Sequence, residues 1–192
     1  KLFLASGNPH KIKELREILA SLEINLQSTL DLREKADVEE DQQTLEGNAL
    51  KKARFWFRKT GLPSLADDTG LEVSVLEGEP GVYSARYAGP DATYEDNVQK
   101  LLEEMGDAKN RKAKFRTVIA LVGEEEVLFE GECKGTITKK PRGEKGFGYD
   151  PVFLPDGYEQ TFAELSSQAK NKISHRGRAL QKLLTFLKEK EI

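Results

Sequence analysis

The sequence predicts a mixed α/β fold. Short apolar runs typical of strands alternate with helical stripes, in which apolar residues recur every three or four positions, and turn residues separate the two. The 192 residues are enough for one substantial core, and no linker or internal repeat divides the chain. We therefore expect a single domain over residues 1–192.

The first elements are a strand, a loop and a helix. Lys1 to Ala5 is predicted as the strand, and Asn8 is a suitable N-cap for a helix that has proline at its first position. The helix N-terminus presents backbone N–H groups, which favour an anion. His10, Lys11 and Lys13 lie in its first turn, where cations oppose the helix dipole unless an anion shares the site. A solvated basic turn is the alternative.

A second helix is predicted to begin near Thr44 and to end at Gly61, which Pro63 follows closely. A run of acids precedes this helix. Its members are Asp37, Glu39, Glu40 and Asp41. Such a run is usually a solvated face, but its position upstream of further carboxylates makes one of its members a candidate metal ligand.

Those further carboxylates are Asp67 and Asp68, which follow a short apolar strand ending at Ala66. Gly70 is expected to turn the chain into a second strand, Leu71 to Leu76. Two charges side by side in a non-helical turn repel each other and attract a cation, so Asp68, alone or together with Asp67, is a candidate ligand of a divalent metal. A solvated turn that hydrogen-bonds its own backbone is the alternative.

The second half of the chain is predicted to contain a helix capped by Thr93, a hairpin that begins with Phe115 to Val122, and a closing helix capped by Ser174. Glycines and aromatic residues are concentrated in residues 141–151, where the backbone can approach a ligand and aromatic faces can stack on a base. A glycine-rich turn with buried aromatics is the alternative. Cations crowd the start of the closing helix: Lys170, Lys172, His175 and Arg176.

The composition narrows the possible functions. A net charge of −3 with 33% charged residues is typical of a globular protein, so any polyanion that it binds should be small. Cys133 is the only cysteine, which excludes an intramolecular disulfide. With His10 and His175 as the only histidines, too few residues remain for a zinc cluster or a Cys-His nucleophile. The chain shows no signal-peptide pattern and no apolar run of membrane-spanning length, and we expect a cytoplasmic protein that binds neither membrane nor nucleic acid.

Once zinc and Cys-His chemistry are excluded, the residues left for a reaction are carboxylates, lysines, glycine loops and aromatics. This set suits Mg²⁺-assisted hydrolysis of a phosphoanhydride. Six segments carry a closer resemblance: Ser6–Lys11, Glu46–Lys51, Ala66–Leu71, Gly81–Tyr87, Gly146–Pro151 and Ile173–Arg176. In this order they resemble the inosine/xanthosine triphosphate pyrophosphatase family, whose members hydrolyse deaminated purine nucleoside triphosphates to the monophosphate and diphosphate. Departures from the family pattern are mild, for example Thr69 where serine is common.

The resemblance implies a two-lobed α/β fold with a long, bent mixed sheet flanked by helices, an active cleft between the lobes, and a homodimer. It also implies at least one Mg²⁺ per active site. Asp68 would bind the metal and accept a proton from the attacking water, with Asp67 and either Glu39 or Glu40 completing the metal site. The upstream ligand stays open among five acids: Asp37, Glu39, Glu40, Asp41 and Glu46.

The resemblance further implies which residues bind the nucleotide. The first loop and Lys170 would hold phosphate, residues 147–150 would form the base pocket, and His175 with Arg176 would contact the purine edge. The full set of expected substrate-binding residues is Ser6, Gly7, Asn8, Pro9, His10, Lys11, Lys51, Thr69, Arg86, Phe147, Gly148, Tyr149, Asp150, Lys170, His175 and Arg176.

Three other functions are compatible with parts of the pattern. A Maf-type pyrophosphatase would prefer dTTP or UTP over ITP. The triplet Asp68-Thr69-Gly70 also occurs in aspartic proteases. An aspartic protease, however, needs two such triplets, and the residue before the aspartate is usually apolar, whereas this chain has Asp67 there. A nucleotide sensor would bind ITP without releasing diphosphate.

Overall fold

The computed structural model describes residues 1–20, 22, 24–32, 36 and 38–190, and within these ranges it contains seven strands and five α-helices. The strands are β1 (Leu2–Leu4), β2 (Leu26–Ser28), β3 (Ser64–Val73), β4 (Pro80–Gly81), β5 (Lys112–Val122), β6 (Glu126–Ile137) and β7 (Phe153–Pro155). The helices are α1 (Pro9–Leu19), α2 (Leu45–Thr60), α3 (Tyr94–Met105), α4 (Ser167–Ile173) and α5 (His175–Glu189). Short 3₁₀ turns occur at Thr29–Asp31, Ser74–Leu76, Ser84–Arg86 and Asp150–Val152.

The strands form one mixed sheet in the order β2-β1-β3-β5-β6-β7, with β4 paired to β3. β1 runs parallel to β2 and to β3, whereas β4 is antiparallel to β3 and β7 is antiparallel to β6. β5 and β6 are neighbours joined by the short turn Gly123 to Glu125, as predicted, although β5 already begins at Lys112. The predicted mixed α/β class, with a mixed sheet flanked by helices, is confirmed.

Local capping sets the ends of the helices. The Asn8 side chain accepts a hydrogen bond from the N–H of His10, and Thr44 and Thr93 cap α2 and α3 in the same way. Gly61 ends α2 in the left-handed conformation, with a φ of 68°. Within the described residues, no helix has both the length and the apolar character needed to cross a membrane.

The chain divides into two compact units. The first unit contains Lys1–Asp68, Thr117–Glu130 and Ala179–Ile192, and the second contains Thr69–Arg116 and Gly131–Arg178. Three strands, β3, β5 and β6, and helix α5 contribute residues to both units. The expected cleft and the single-domain assignment remain predictions.

Each unit has its own apolar core. In the first unit, the buried residues of α1 (Ile12, Leu15 and Leu19) pack into a cluster with β1 and the buried leucines of α5. In the second unit, Val98 and Leu101 of α3 belong to a cluster that contains the inward residues of the sheet and several phenylalanines. Burial of each such side chain stabilises its unit by roughly 1.5–3 kcal/mol relative to exposure.

The predicted turn at Gly70 was wrong, because β3 continues without interruption from Ser64 to Val73. A Cβ on Gly70 would lie 2.6 Å from the carbonyl oxygen of Gly81, so the glycine permits the close approach of β4 and does not turn the chain. Asp67 and Asp68 therefore lie within a strand. The predicted strand to Leu76 ends at Val73, and a 3₁₀ turn follows.

Candidate active site

Strand β3 buries two adjacent carboxylates in the first unit. Asp67 and Asp68 are each 8% exposed. The side-chain amide of Asn48, a fully buried residue of α2, donates to Asp68 Oδ2 over 3.0 Å. The side-chain oxygen Oδ1 of Asn48 in turn accepts from the backbone N–H of Gln42, so one asparagine side chain links the acidic segment before α2 to Asp68.

Two lysines approach these carboxylates from different helices. Lys11 of α1 lies with its Nζ 2.8 Å from Asp67 Oδ2. Lys52 of α2 donates to the backbone carbonyl oxygen of Asp67 over 2.7 Å and forms a short ion pair with Glu40 Oε1. The side chain of Lys52 is only 13% exposed, so its charge is poorly screened by solvent.

The electrostatic balance around Asp68 perturbs its protonation. Burial raises the pKa of Asp68 to about 6, and the charges of Glu40 and Asp67 add to this effect, whereas Lys52 and the hydrogen bond from Asn48 oppose it. Burial alone would lower the pKa of Lys52, but Glu40, Asp68 and Asp67 outweigh it and raise the pKa above its usual value. A carboxyl group that titrates near neutral pH is suited to accept a proton.

The oxygen ligands present suit a hard divalent cation. Within the described part of the chain, no group of three His, Cys, Asp or Glu side chains is placed to hold a metal unaided. Mg²⁺ needs no such group, because it commonly takes one or two carboxylates together with phosphate oxygens and water. Burial is the main cause of the raised pKa of Asp68, and a cation would relieve the smaller repulsion from Glu40 and Asp67 that adds to it.

The five upstream acids lie in different surroundings. Glu40 is the one whose charge raises the pKa of Asp68. Asp41 pairs with Lys51 on the surface, Glu39 is exposed, and Glu46 lies in the first turn of α2. The remaining candidate, Asp37, falls outside the described residues.

The loop after β1 has a defined local geometry. The Ser6 hydroxyl oxygen accepts from the N–H of Asn8 over 3.1 Å, and the Asn8 side chain accepts from the N–H of His10 over 2.9 Å. Gly7, Pro9 and His10 are exposed. The loop and the start of α1 therefore present backbone N–H groups and the Lys11 side chain in the same unit as the carboxylates.

The second unit brings together four of the residues expected to bind the nucleotide: Phe147, Asp150, Lys170 and Arg176. Lys170 Nζ lies 2.5 Å from Asp150 Oδ2, and the two side chains are 11% and 4% exposed. The same carboxylate oxygen accepts from the N–H of Phe147 over 3.0 Å. Lys170 Nζ and Arg176 Cζ lie 4.9 Å and 5.4 Å from the centroid of the Phe147 ring, within range of cation–π attraction.

Two glycines are required by this arrangement. Gly146 has a φ of 75°, and a Cβ there would lie 2.0 Å from Asp150 Oδ2. Gly177, in the first turn of α5, leaves room for the carbonyl oxygen of Asn171, which would lie 1.9 Å from a Cβ. Gly177 thus allows α5 to begin directly beside α4, the helix that carries Lys170.

Other expected residues of the second unit have partners within the protein. The Tyr149 hydroxyl is buried and donates to the carbonyl oxygen of Ser84 over 2.7 Å, which ties the glycine-rich segment to the turn that carries Arg86. The Arg86 guanidinium lies over the ring of Tyr83. The buried His175 ring stacks on a phenylalanine of the core, with centroids 4.5 Å apart. Thr69 and Gly148 are half-buried.

A family model matches residues 2–186, which is nearly the whole chain. The chain belongs to the Ham1 family. The resemblance drawn from the six segments of the sequence is therefore confirmed.

Individual Ham1-family relatives match over almost their full lengths. A protein of Thermoanaerobacter pseudethanolicus named dITP/XTP pyrophosphatase is 50% identical over 190 residues, which cover 97% of this chain and 96% of the relative. The solved structure of a HAM1 protein from Coxiella burnetii is 43% identical and superposes with a TM-score of 0.92, and it covers 98% of both chains. The Staphylococcus aureus Ham1 structure is 39% identical, with a TM-score of 0.91 and the same coverage.

In this Ham1-family chain, sequence reasoning named Lys51 but missed Lys52 and Asn48. The structure pairs Lys51 with Asp41 Oδ1 at 2.7 Å and places Lys52 beside the carboxylates. Helical spacing could have shown the difference, because Asn48 and Lys52 are four positions apart and share a face of α2, whereas Lys51 is offset from it. How far Lys51 contributes to substrate binding remains a prediction, as do the other assigned roles.

Proposed function

We propose that this Ham1-family chain hydrolyses deaminated purine nucleoside triphosphates (ITP, dITP and XTP) to the nucleoside monophosphate and diphosphate, and so removes them from the nucleotide pool. The observation that carries the proposal is the buried Asp68, whose pKa is raised to about 6 and which lies among two further carboxylates and two lysines. The names of the full-length relatives support the same reaction.

We assign Mg²⁺ as the cofactor, with Asp68 and Glu40 as its protein ligands and Asp67 nearby. The ion would supply charge neutralisation at the phosphates and polarise the bond that is cleaved. Both Glu40 and Asp67 raise the pKa of Asp68, and the effect of Glu40 is the larger of the two. This difference favours Glu40 and Asp68 as the ligand pair.

Asp68 acts as the proton acceptor in this proposal. Its pKa of about 6 leaves it mostly ionised at neutral pH, yet basic enough to take a proton from an attacking water molecule. The hydrogen bond from the buried Asn48 holds one carboxylate oxygen in place, so the carboxylate keeps a defined orientation. Loss of the charge at position 68 should therefore reduce kcat strongly.

The first loop and two lysines would bind the triphosphate. Backbone N–H groups at the start of α1 and the ammonium of Lys11 provide positive potential next to the carboxylates. Lys52 provides a second, more deeply buried positive charge. Phosphate oxygens would replace carboxylate oxygens as partners of these ammonium groups when the nucleotide binds.

The cluster around Phe147 would bind the purine. The Phe147 ring offers a stacking surface, and Lys170 and Arg176 keep positive charge close to that ring. A guanidinium donor aimed at the six-position keto oxygen of hypoxanthine or xanthine would face an amino group in adenine, which costs about 1–3 kcal/mol for a buried unsatisfied donor. Guanine keeps that keto oxygen, so its rejection requires another contact, at its two-position amino group.

Diphosphate release from ITP, dITP, XTP, GTP, ATP and dTTP, measured with and without Mg²⁺, tests the proposal. We expect diphosphate release from ITP, dITP and XTP, and only when Mg²⁺ is present. Preference for dTTP would support a Maf-type enzyme, and binding of ITP without diphosphate would support a sensor. Either result would refute the proposed reaction.

Matched variants on α1 test the phosphate site. Lys11→Ala should raise KM for ITP with a smaller effect on kcat, because the ammonium binds ground state and transition state alike. Lys13→Ala is the control, since Lys13 is an exposed lysine of the same helix turn. Equal KM values for the two variants would remove the first loop from the phosphate site.

We also propose that the chain forms a homodimer and acts in the cytoplasm on free nucleotides. Size-exclusion chromatography with light scattering gives the oligomeric state directly. A monomeric mass at micromolar concentration would refute the dimer.

A further inference from the structure

Two neighbouring lysines of α2 pair with two neighbouring acids, but in very different environments. Lys51 pairs with Asp41 at 2.7 Å, and their side chains are 35% and 47% exposed. Lys52 pairs with Glu40, and these side chains are 13% and 30% exposed. Lys52 also donates to the backbone carbonyl oxygen of Asp67 over 2.7 Å, which fixes its ammonium beside the buried carboxylates.

The position of this ammonium conflicts with a metal ion at the same carboxylates. Glu40, Asp67 and Asp68 all interact electrostatically with Lys52. A divalent cation that takes Glu40 as a ligand would be held close to an ammonium of the same sign, in a region that solvent screens poorly. The Glu40 oxygen that already accepts from Lys52 would also have to exchange one partner for the other.

We propose that Lys52 occupies the place of the divalent cation at Glu40 in the nucleotide-free protein and leaves it only when a polyphosphate takes over its ammonium. The inference rests on the proposed function, since it takes Glu40 as a metal ligand. It makes metal binding conditional on the nucleotide: the phosphates attract Lys52 away and supply oxygen ligands at the same time. By linkage, metal and nucleotide then increase each other's affinity.

A Mn²⁺ titration of the nucleotide-free protein tests this competition. Free Mn²⁺ is measured by electron paramagnetic resonance at pH 8. Lys52→Met removes the ammonium but keeps an unbranched side chain, and we expect it to bind Mn²⁺ about tenfold more tightly than the wild type, or about 1.4 kcal/mol. Lys51→Met is the matched control, and its Mn²⁺ affinity should stay within about twofold of the wild type.

Lys52→Gln is a second variant, in case the methionine substitution prevents folding. It keeps a donor for Glu40 and for the Asp67 carbonyl oxygen but has no charge, and it should also bind Mn²⁺ more tightly. Circular dichroism and the fluorescence of Trp56, the only tryptophan, report whether each variant is folded. Mn²⁺ affinity equal to or weaker than that of the wild type in the folded Lys52 variants would overturn the proposal.

The titration contains no nucleotide, so its result is separate from the test of the enzymatic reaction. If the wild type releases diphosphate from ITP but the Lys52 variants gain no Mn²⁺ affinity, only the competition is refuted. If the variants gain affinity but the wild type hydrolyses none of the triphosphates, the competition stands and the proposed reaction is refuted.

Discussion

Asp68→Asn should stabilise the metal-free protein near neutral pH, although we expect the same variant to lose most of its turnover. Burial, reinforced by Glu40 and Asp67 against the opposing effects of Lys52 and Asn48, raises the pKa of Asp68 from 3.8 to about 6. The folded state therefore binds this proton more tightly than the unfolded chain does, and ionisation disfavours folding. Asparagine has nearly the same volume, carries no charge, and keeps an oxygen that can accept the hydrogen bond from Asn48.

The size of the effect follows from the difference between the folded and unfolded pKa values. Well below pH 3.8 the carboxyl group is protonated in both states and its ionisation makes no contribution. As the pH rises from 3.8 towards 6, the unfolded chain ionises first, so the free energy of unfolding of the wild type falls. Above the folded pKa the loss is complete, at about 3 kcal/mol for a difference of about two pKa units.

Urea unfolding in the presence of EDTA, followed by the fluorescence of Trp56, measures this effect in the unit that contains Asp68. We expect Asp68→Asn to raise the free energy of unfolding by about 2–3 kcal/mol at pH 8 and by about half as much at pH 5. Asp91→Asn, at an exposed position, should change it by less than about 0.5 kcal/mol. An Asp68→Asn protein that is less stable than the wild type at pH 8, or a difference independent of pH, would refute the reasoning.

Two further predictions concern the second unit. Arg111 is buried and donates to three backbone carbonyl oxygens at 2.8–3.1 Å. Arg111→Ala should therefore lower the free energy of unfolding, measured in urea titrations, by about 3 kcal/mol. The control Arg54→Ala loses an exposed ion pair and should lower the free energy of unfolding by less than about 1 kcal/mol. A Cβ at position 177 would meet the Asn171 carbonyl oxygen at 1.9 Å and push α4 and α5 apart. Gly177→Ala should therefore lower the free energy of unfolding by about 2 kcal/mol or more and raise KM for ITP. Gly123→Ala, whose Cβ would have its nearest neighbour at 3.5 Å, is the control for that variant, and similar stabilities of the two would contradict the steric argument.

The elements that could be predicted from the sequence are those that local chemistry determines. Asn8 before Pro9, Thr44 and Gly61 mark helix ends whatever the rest of the chain does, and the structure has helix ends at these positions. Gly70 could not be interpreted in this way. Its role depends on Gly81, which approaches it from another strand. The sequence alone does not distinguish a glycine that permits the close approach of a neighbouring strand from a glycine that forms a turn.

The same distinction applies to the candidate site. The resemblance implied separate nucleotide contacts for residues 147–150, Lys170 and Arg176, although nothing local to any of them shows that Asp150 binds both Lys170 and the backbone of Phe147. Lys52 escaped prediction because nothing local distinguishes the two adjacent lysines, and only the spacing of four positions from Asn48 to Lys52 separates them. The structure shows that Lys52 is the more buried of the two, with a side chain 13% exposed against 35% for Lys51.

The charges around Asp68 give a physical reason for a divalent cation in the proposed reaction. Three carboxylates, of Glu40, Asp67 and Asp68, face two ammonium groups, of Lys11 and Lys52, so this part of the first unit carries an excess of negative charge without a ligand. A triphosphate tail adds several more negative charges, and the lysines that should attract it are already neutralised by carboxylates. A divalent cation reverses the sign of that excess and frees lysines for the phosphates, which a monovalent ion could not do. Hydrolysis of ITP that proceeds equally well in K⁺ and EDTA would therefore contradict the charge balance itself, independently of which acid is the second ligand.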